Sequence, residues 1–231
     1  MLALVIVLAV LLVVIDRVAV YIADRAAADQ IKNSQHLSSR PTVRIEGFPF
    51  LTQVLGSRYR AVSVKASGVT VGDSDRMVTI RDFDARLTGI DTTRDFSRAT
   101  ADTVRGTATV SYPELSRVIG VPLNYDGANA SGAGRLVATE TLGVLGASVS
   151  GSVSAQVDVV GGDRLQFSSV RVSAADAGIS LPQTVTDQFA SVFSRQLSLK
   201  GLPLGLTIER IVVSRTGVSI VAAGTDVPLN G

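Results

Sequence analysis

The chain has 231 residues, 46% hydrophobic and only 18% charged, with a formal net charge of +2. Cys is absent, which excludes thiol nucleophiles, thiolate metal sites and disulfides. Its 19 Arg and three Lys are spread along the chain without a run that would form a nucleic-acid footprint, and 5% aromatics with no Trp give no stacking platform for single strands. The length suits one folded domain of about 200 residues behind a leader, large enough to bury a core or enclose an apolar cavity.

Met1 to Ile15 is an unbroken run of Met, Leu, Ala, Val and Ile, and Val18 to Ala23 continue it beyond Asp16 and Arg17. Fifteen helical residues cover about 22 Å, short of a hydrocarbon core about 30 Å thick; counting on through Ala23 reaches about 34 Å. Residues 1–23 are therefore expected to hold the protein in the inner membrane as an uncleaved anchor, with Asp16 and Arg17 near an interface or neutralising each other. A cleaved signal peptide is the alternative. Ala26-Ala27-Ala28 satisfies a small-x-small site, but farther from the apolar run than such sites usually sit. A buried core helix fits less well, because the first 15 residues have no polar face. No Lys or Arg precedes the run, so the positive-inside rule gives no orientation. From Asp24 to about Gln35 the chain is Ala-rich and charged, without Gly or Pro, and is expected to continue as a short helical stalk. Ser38-Ser39-Arg40-Pro41 breaks it, since Pro disfavours helix in the residue before it.

Beyond Pro41 the dominant signal is alternation with period two. From Ser148 to Val159 the odd positions are Val149, Gly151, Val153, Ala155, Val157 and Val159, and the even ones are Ser, Gln or Asp. That pattern predicts a strand with one wet face. Strands are likewise expected at Thr42–Glu46, Tyr59–Ala66, Met77–Ile90, Thr103–Ser111, Gly134–Thr139, Leu165–Ala174, Leu204–Val213 and Val218–Ala223. Leu204, Leu206 and Ile208 give way to Ile211 and Val213, a slip that predicts a bulge. Pro113–Ile119 reads as a short helix with Pro at its first turn. Pro182 to about Leu199 reads as a longer amphipathic helix, with Val185, Phe189, Val192 and Phe193 on its apolar stripe and Gly201 and Pro203 closing it.

Little in the sequence points to catalysis. His36 is the single histidine and has no second His or clustered carboxylates beside it, so neither a Ser-His-Asp arrangement nor a metal site is expected. The acids fall in turns or on polar strand faces, among them Asp91, Asp95, Asp102 and Asp126, not as a pair facing one cleft. No phosphate-loop or dinucleotide pattern occurs, and no cofactor is implied. The most distinctive stretch is Gly47-Phe48-Pro49-Phe50-Leu51. Phe48, Pro49, Phe50 and Leu51 either cap the core or stand at a cavity mouth or against a lipid surface.

The segment Pro41 to Gln53 (PTVRIEGFPFLTQ), followed by Tyr59-Arg60-Ala61-Val62-Ser63-Val64, resembles the opening of the actinobacterial LmeA-like phospholipid-binding family. Ser111-Tyr112-Pro113-Glu114-Leu115, the Leu181-Pro182 helix, Leu202-Pro203-Leu204-Gly205-Leu206 and Gly217-Val218 agree with it, so the resemblance covers residues 40 to 230. It implies an α+β fold: a long curled antiparallel sheet wrapped with an amphipathic helix around an apolar cavity, similar to tubular lipid-binding domains. It also implies a cell-envelope protein that binds phospholipid, phosphoinositides especially, and supports mannan elongation on lipoglycans. No catalytic motif comes with the family.

The expected organisation is thus an anchor or signal peptide with a stalk over residues 1–35 and a β-rich lipid-binding domain over 36–231. The expected function is binding or shuttling of phospholipid on the extracytoplasmic face of the plasma membrane, without enzyme activity. Phe48, Pro49, Phe50, Leu51, Val185, Phe189, Val192 and Phe193 are the residues expected at the cavity or its mouth. A membrane-anchored scaffold that binds an envelope protein through the same apolar surface is the alternative, and a homodimer or an envelope protein is the partner expected besides lipid.

Overall fold

A computed structural model describes the chain except for residues 35–36, 72–76, 96, 130–131, 145–146, 163, 175–196, 199–205 and 230–231. At 71, 140–144, 147–150, 164–165, 174 and 197–198 it describes the backbone alone. The chain opens with helix α1 (Leu2–Ser34), then β1 (Thr42–Glu46), α2 (Phe50–Gly56), β2 (Arg58–Val71), β3 (Val78–Thr92), β4 (Ala99–Val110) and α3 (Tyr112–Ile119). There follow β5 (Leu123–Ala128), β6 (Gly134–Val144), β7 (Ala147–Val160), β8 (Arg164–Ala174), β9 (Leu197–Ser198), β10 (Thr207–Ser214) and β11 (Gly217–Pro228).

The strands form two antiparallel sheets, neither closed on itself. The first has the order β1-β2-β3-β4-β11-β10 and the second β5-β6-β7-β8-β9. Successive residues of a strand point to opposite faces, so the register decides what each face is made of. Across the first sheet, four rungs on one face are wholly apolar: Ile45-Val62-Leu87-Val104-Gly224, Val43-Val64-Ala85-Gly106-Ala222-Ile208, Ala66-Phe83-Ala108-Ile220-Ile211 and Val69-Ile80-Val110-Val218-Val213. The neighbouring rungs on the opposite face carry Arg44, Ser63, Arg86 and Arg105, then Thr42, Lys65, Asp84 and Thr107. The second sheet repeats the separation. Leu123, Leu136, Ala138, Val153, Ala155 and Val172 share one face, and Ser152, Ser154, Gln156, Ser173 and Arg171 the other.

The apolar faces meet in one cluster, where Leu123, Leu136, Ala138, Val153 and Ala155 pack against Tyr112, Val213 and Val218. Tyr112 closes the corner by donating its phenol O–H to the carbonyl of Ser214 at 2.5 Å. Burial, with Tyr125 nearby, pushes the phenol up to about 12. At the same corner the sheets come so close that a Cβ at Gly134 would lie 2.0 Å from the carbonyl oxygen of Val213. Only glycine fits there.

The expected strands are present, and the register of β10 on β11 shifts between Ile208 and Arg210, where the change of apolar parity predicts a bulge. Two elements go beyond the alternation. In β5 the pairing shifts between Tyr125 and Ala128, which hides the period, and α2 is only seven residues long. The helix expected from Pro182 falls outside the described residues, with Val185, Phe189, Val192 and Phe193. Its expected end at Leu199 is corrected: Leu197 and Ser198 are strand β9, whose backbone pairs with Leu165 and Arg164 along β8. His36 also lies outside the described residues.

Gly134→Ala is expected to destabilise the fold by about 3 kcal/mol or more, because backbone, not a flexible side chain, stands in the way. Equilibrium denaturant unfolding checks this; a change within about 0.5 kcal/mol would mean the sheets do not meet as closely as described.

Candidate functional site

The Gly47–Gln53 stretch divides between core and surface. Gly47 has φ +108°, and a Cβ there would come within 2.9 Å of both Arg60 Cδ and Gln53 Nε2. Phe50 is buried and tilts against the Tyr59 ring at 6.5 Å. Gln53 is buried too; its Oε1 accepts the Arg60 N–H at 2.9 Å, while its Nε2 has no partner among the described residues. Phe48 remains 48% exposed and Leu55, one turn beyond Leu51, is 85% exposed. The segment is therefore a turn and a short helix with Phe50 as its root and Phe48 and Leu55 outside. Pro49 before it and Gly56 at its end are the punctuation of a helix, a signal that a reading of alternation passes over.

Helix α1 is not free of this segment. Asp16, Val20, Asp24 and Ala28 recur every four residues, so they lie on one stripe. Asp16 is buried and accepts the Leu51 N–H at 2.9 Å; the Arg17 guanidinium neutralises it at 2.6 Å and stacks on Phe48 at 4.9 Å. Two turns on, Asp24 accepts the Ile45 N–H at 2.8 Å. Since β1 is an edge strand, that carboxylate occupies an otherwise open backbone donor. The second half of α1 thus packs along the domain where the sequence suggested a stalk. The two carboxylates that dock it are recognisable only as a helical stripe.

The first half of α1 is different. Every described side chain from Leu2 to Ile15 is exposed, and the helix is long and apolar enough to cross a membrane.

The four apolar rungs form the other surface with no polar function of its own. Val62, Val64, Phe83, Leu87, Ile211 and Ile220 on it are only partly covered. At the corner an open recess of about 530 Å³ lies between α3 and β5, lined by Tyr112, Pro113, Ser116, Arg117, Val121 and Leu123 among others. Arg117 is held there by Glu114 at 2.6 Å, and Glu114 also accepts the Thr79 N–H at 2.6 Å, pinning α3 to the start of β3. These bonds hold the Glu114 carboxyl down at about 2.

The charged groups sit on the outer face and neutralise one another. Arg86 grips Glu46 with two nitrogens at 2.7 and 2.6 Å, Lys65 meets Asp84 at 2.8 Å, Arg105 meets Glu209 at 3.0 Å, and Arg58 bridges Asp91 and Asp102. Such exposed pairs add little stability. Arg135 is buried, bonded to Ser154 Oγ at 2.7 Å and the Ser169 carbonyl at 3.2 Å, with the Asp126 carboxylate at 3.6 Å. Among the described residues no three His, Asp or Glu side chains gather as a metal site would require.

A family model described as LmeA-like phospholipid-binding matches residues 14–223. The chain belongs to the LmeA-like phospholipid-binding family. No curated protein and no solved structure gives a significant match. The LmeA-like match begins at Val14, so it takes in Asp16, Asp24 and the docked half of α1 as well as both sheets. Lipid binding is thereby a property of the family to which this two-sheet domain belongs.

Glu114 supplies a pH test of the α3 anchorage. Its carboxyl titrates near 2 when folded against an ordinary 4.5, so its contribution is complete above about 4.5 and fades as pH falls towards 2. Unfolding midpoints of the wild type and Glu114→Gln are expected to differ at pH 7 and converge near pH 2. A constant difference across that range would refute the assignment.

Proposed function

We propose that this protein is a phospholipid-binding protein of the cell envelope, held on the extracytoplasmic face of the plasma membrane by α1, that takes up or presents lipid without transforming it. The family match over residues 14–223 is the observation that carries the reading. The unbroken apolar rungs of the inner face support it, since an acyl chain needs only such a surface. Burying methylene groups contributes about 0.8 kcal/mol each, so ten of them reach about 8 kcal/mol, which corresponds to a micromolar dissociation constant. Residues 1–35 act as the anchoring segment and 36–231 as the lipid-binding domain. Phe48 and Leu51 stand at the mouth of the lipid path, with Pro49 fixing their turn and Phe50 rooting it. Val185, Phe189, Val192 and Phe193, outside the described residues, cover it. A phosphoinositide head group and service to lipoglycan assembly are the finer part of the proposal and rest on the family resemblance.

Native mass spectrometry of the full-length protein, released from membranes in mild detergent, tests the reading. Phospholipid adducts that exchange with added lipid are expected. Gly106→Leu should at least halve their occupancy, while Gly106→Ala, whose Cβ meets nothing closer than 3.8 Å, should keep both occupancy and melting temperature. Consistent absence of any co-purifying or exchangeable lipid would overturn the proposal; a stable protein partner in its place would favour a scaffold.

A further inference from the structure

We propose that α2, with Phe48 and Leu55, is seated in the surface layer of the bilayer, and that Asp16 is the positioning residue that holds it there. The inference rests on the membrane anchoring proposed above and adds the surface by which the folded domain meets the lipid.

Length is the first ground. The apolar run of α1 up to Ile15 covers about 22 Å, which leaves about 8 Å of a 30 Å hydrocarbon core to be filled by the next five or six residues. In that stretch Val18 and Tyr21 are exposed apolar groups. It is also the stretch whose opposite side is bonded to α2, through Asp16 and Leu51. A helix that crosses the core therefore carries α2 down to the boundary with it.

The surface at that level fits. Phe48, which lies against Arg17 of α1, and Leu55, near the end of α2, are both exposed apolar groups. Arg17 lies over Phe48 at 4.9 Å and Arg25 over Tyr21 at 4.5 Å. A long basic side chain reaching outward along an aromatic ring suits the head-group layer, where aromatic and basic residues gather.

Backbone satisfaction is the independent ground. A short helix near hydrocarbon is costly unless its end groups are bonded. Here Pro49 has no N–H, Asp16 takes the Leu51 N–H, Thr52 Oγ1 donates to the Pro49 carbonyl at 2.8 Å, and the Ser57 N–H closes on Val54 O at 3.1 Å. Arg17 balances the charge of Asp16. The arrangement equips α2 to sit where water is scarce.

The chain contains no Trp, so a single introduced Trp reports its own depth. Full-length Leu55→Trp would be reconstituted in phosphatidylcholine–phosphatidylglycerol vesicles with and without lipids brominated on the upper acyl chain. Leu8→Trp in the apolar run serves as the embedded standard. Val212→Trp, exposed on the far edge strand β10, serves as the solvent-side standard. Emission of Leu55→Trp is expected to be blue-shifted and at least twofold quenched by the brominated lipid. Emission and quenching equal to those of Val212→Trp would overturn the seating. Adding Asp16→Ala should reduce the quenching at position 55 at least twofold and leave Leu8→Trp unchanged, with Asp16→Asn intermediate. Unchanged quenching at position 55 would overturn the role of Asp16. Depth is read without any lipid adduct, so loss of lipid uptake in mass spectrometry and loss of seating are separate outcomes.

Discussion

The structure depends on the close approach of two sheets at the β10 edge. Each sheet has one apolar and one polar face, and neither closes on itself, so each would leave half its surface uncovered in water. Bringing Gly134 against the Val213 carbonyl lets the apolar face of the second sheet continue that of the first, with Tyr112 bonded across the corner to Ser214. The resulting cluster of Leu123, Leu136, Ala138, Val153, Ala155, Val213 and Val218 is the larger of two buried clusters among the described residues. Along the first sheet Ala66, Phe83, Ala108, Ile211 and Ile220 are only partly covered, and beyond them Ile90, Ala101, Val104 and Val227 form a second buried cluster. A face packed at both ends and half-covered between them can be stable alone and still accept a hydrophobic ligand.

The strands were legible because burial on one face writes itself into the sequence with period two. Ser148 to Val159 shows this most plainly: Val153 and Ala155 are buried and Ser152 and Ser154 are not. The bulge in β10 was legible for the same reason, as a change of parity between Ile208 and Ile211. What the period does not carry is the relation between elements separated in sequence. Nothing local marks Asp16 as the partner of Leu51, thirty-five residues on, or Asp24 as the partner of Ile45. Both acids interrupt an apolar helix and read as punctuation of an anchor until the domain is placed beside them. Helix α2 was missed because seven residues give barely two turns, too few for a period to register against the neighbouring strands.

The GFPFL stretch illustrates how one motif serves two ends. Gly47 and Phe50 are fixed by packing, one by its positive φ and crowded surroundings, the other by burial against Tyr59. Phe48 and Leu55 are under no such constraint, and their exposure has no account in the folded chain itself. Of the two readings that appear as alternatives in the sequence, core-capping is realised by Phe50, while Phe48 is left exposed by the same turn.

Charge placement bears on how the domain would choose a lipid. The described acids and bases of the first sheet sit opposite each other on its outer face, and none of the four inner rungs bears a charge. A head group laid on that inner face would lose its hydration with nothing to replace it, at a cost that several methylene contacts would not offset. On the proposed reading, acyl chains would lie on the rungs and the head group outside them, where Arg side chains can meet a phosphate in water-accessible surroundings. Affinity would then follow chain length, and selectivity would follow whichever rim arginines are not already held by a carboxylate. Arg58, Arg86, Arg105 and Arg117 are held in this way, which removes them from that set. On that reading the uncharged inner face would set affinity, and arginines outside it would set selectivity.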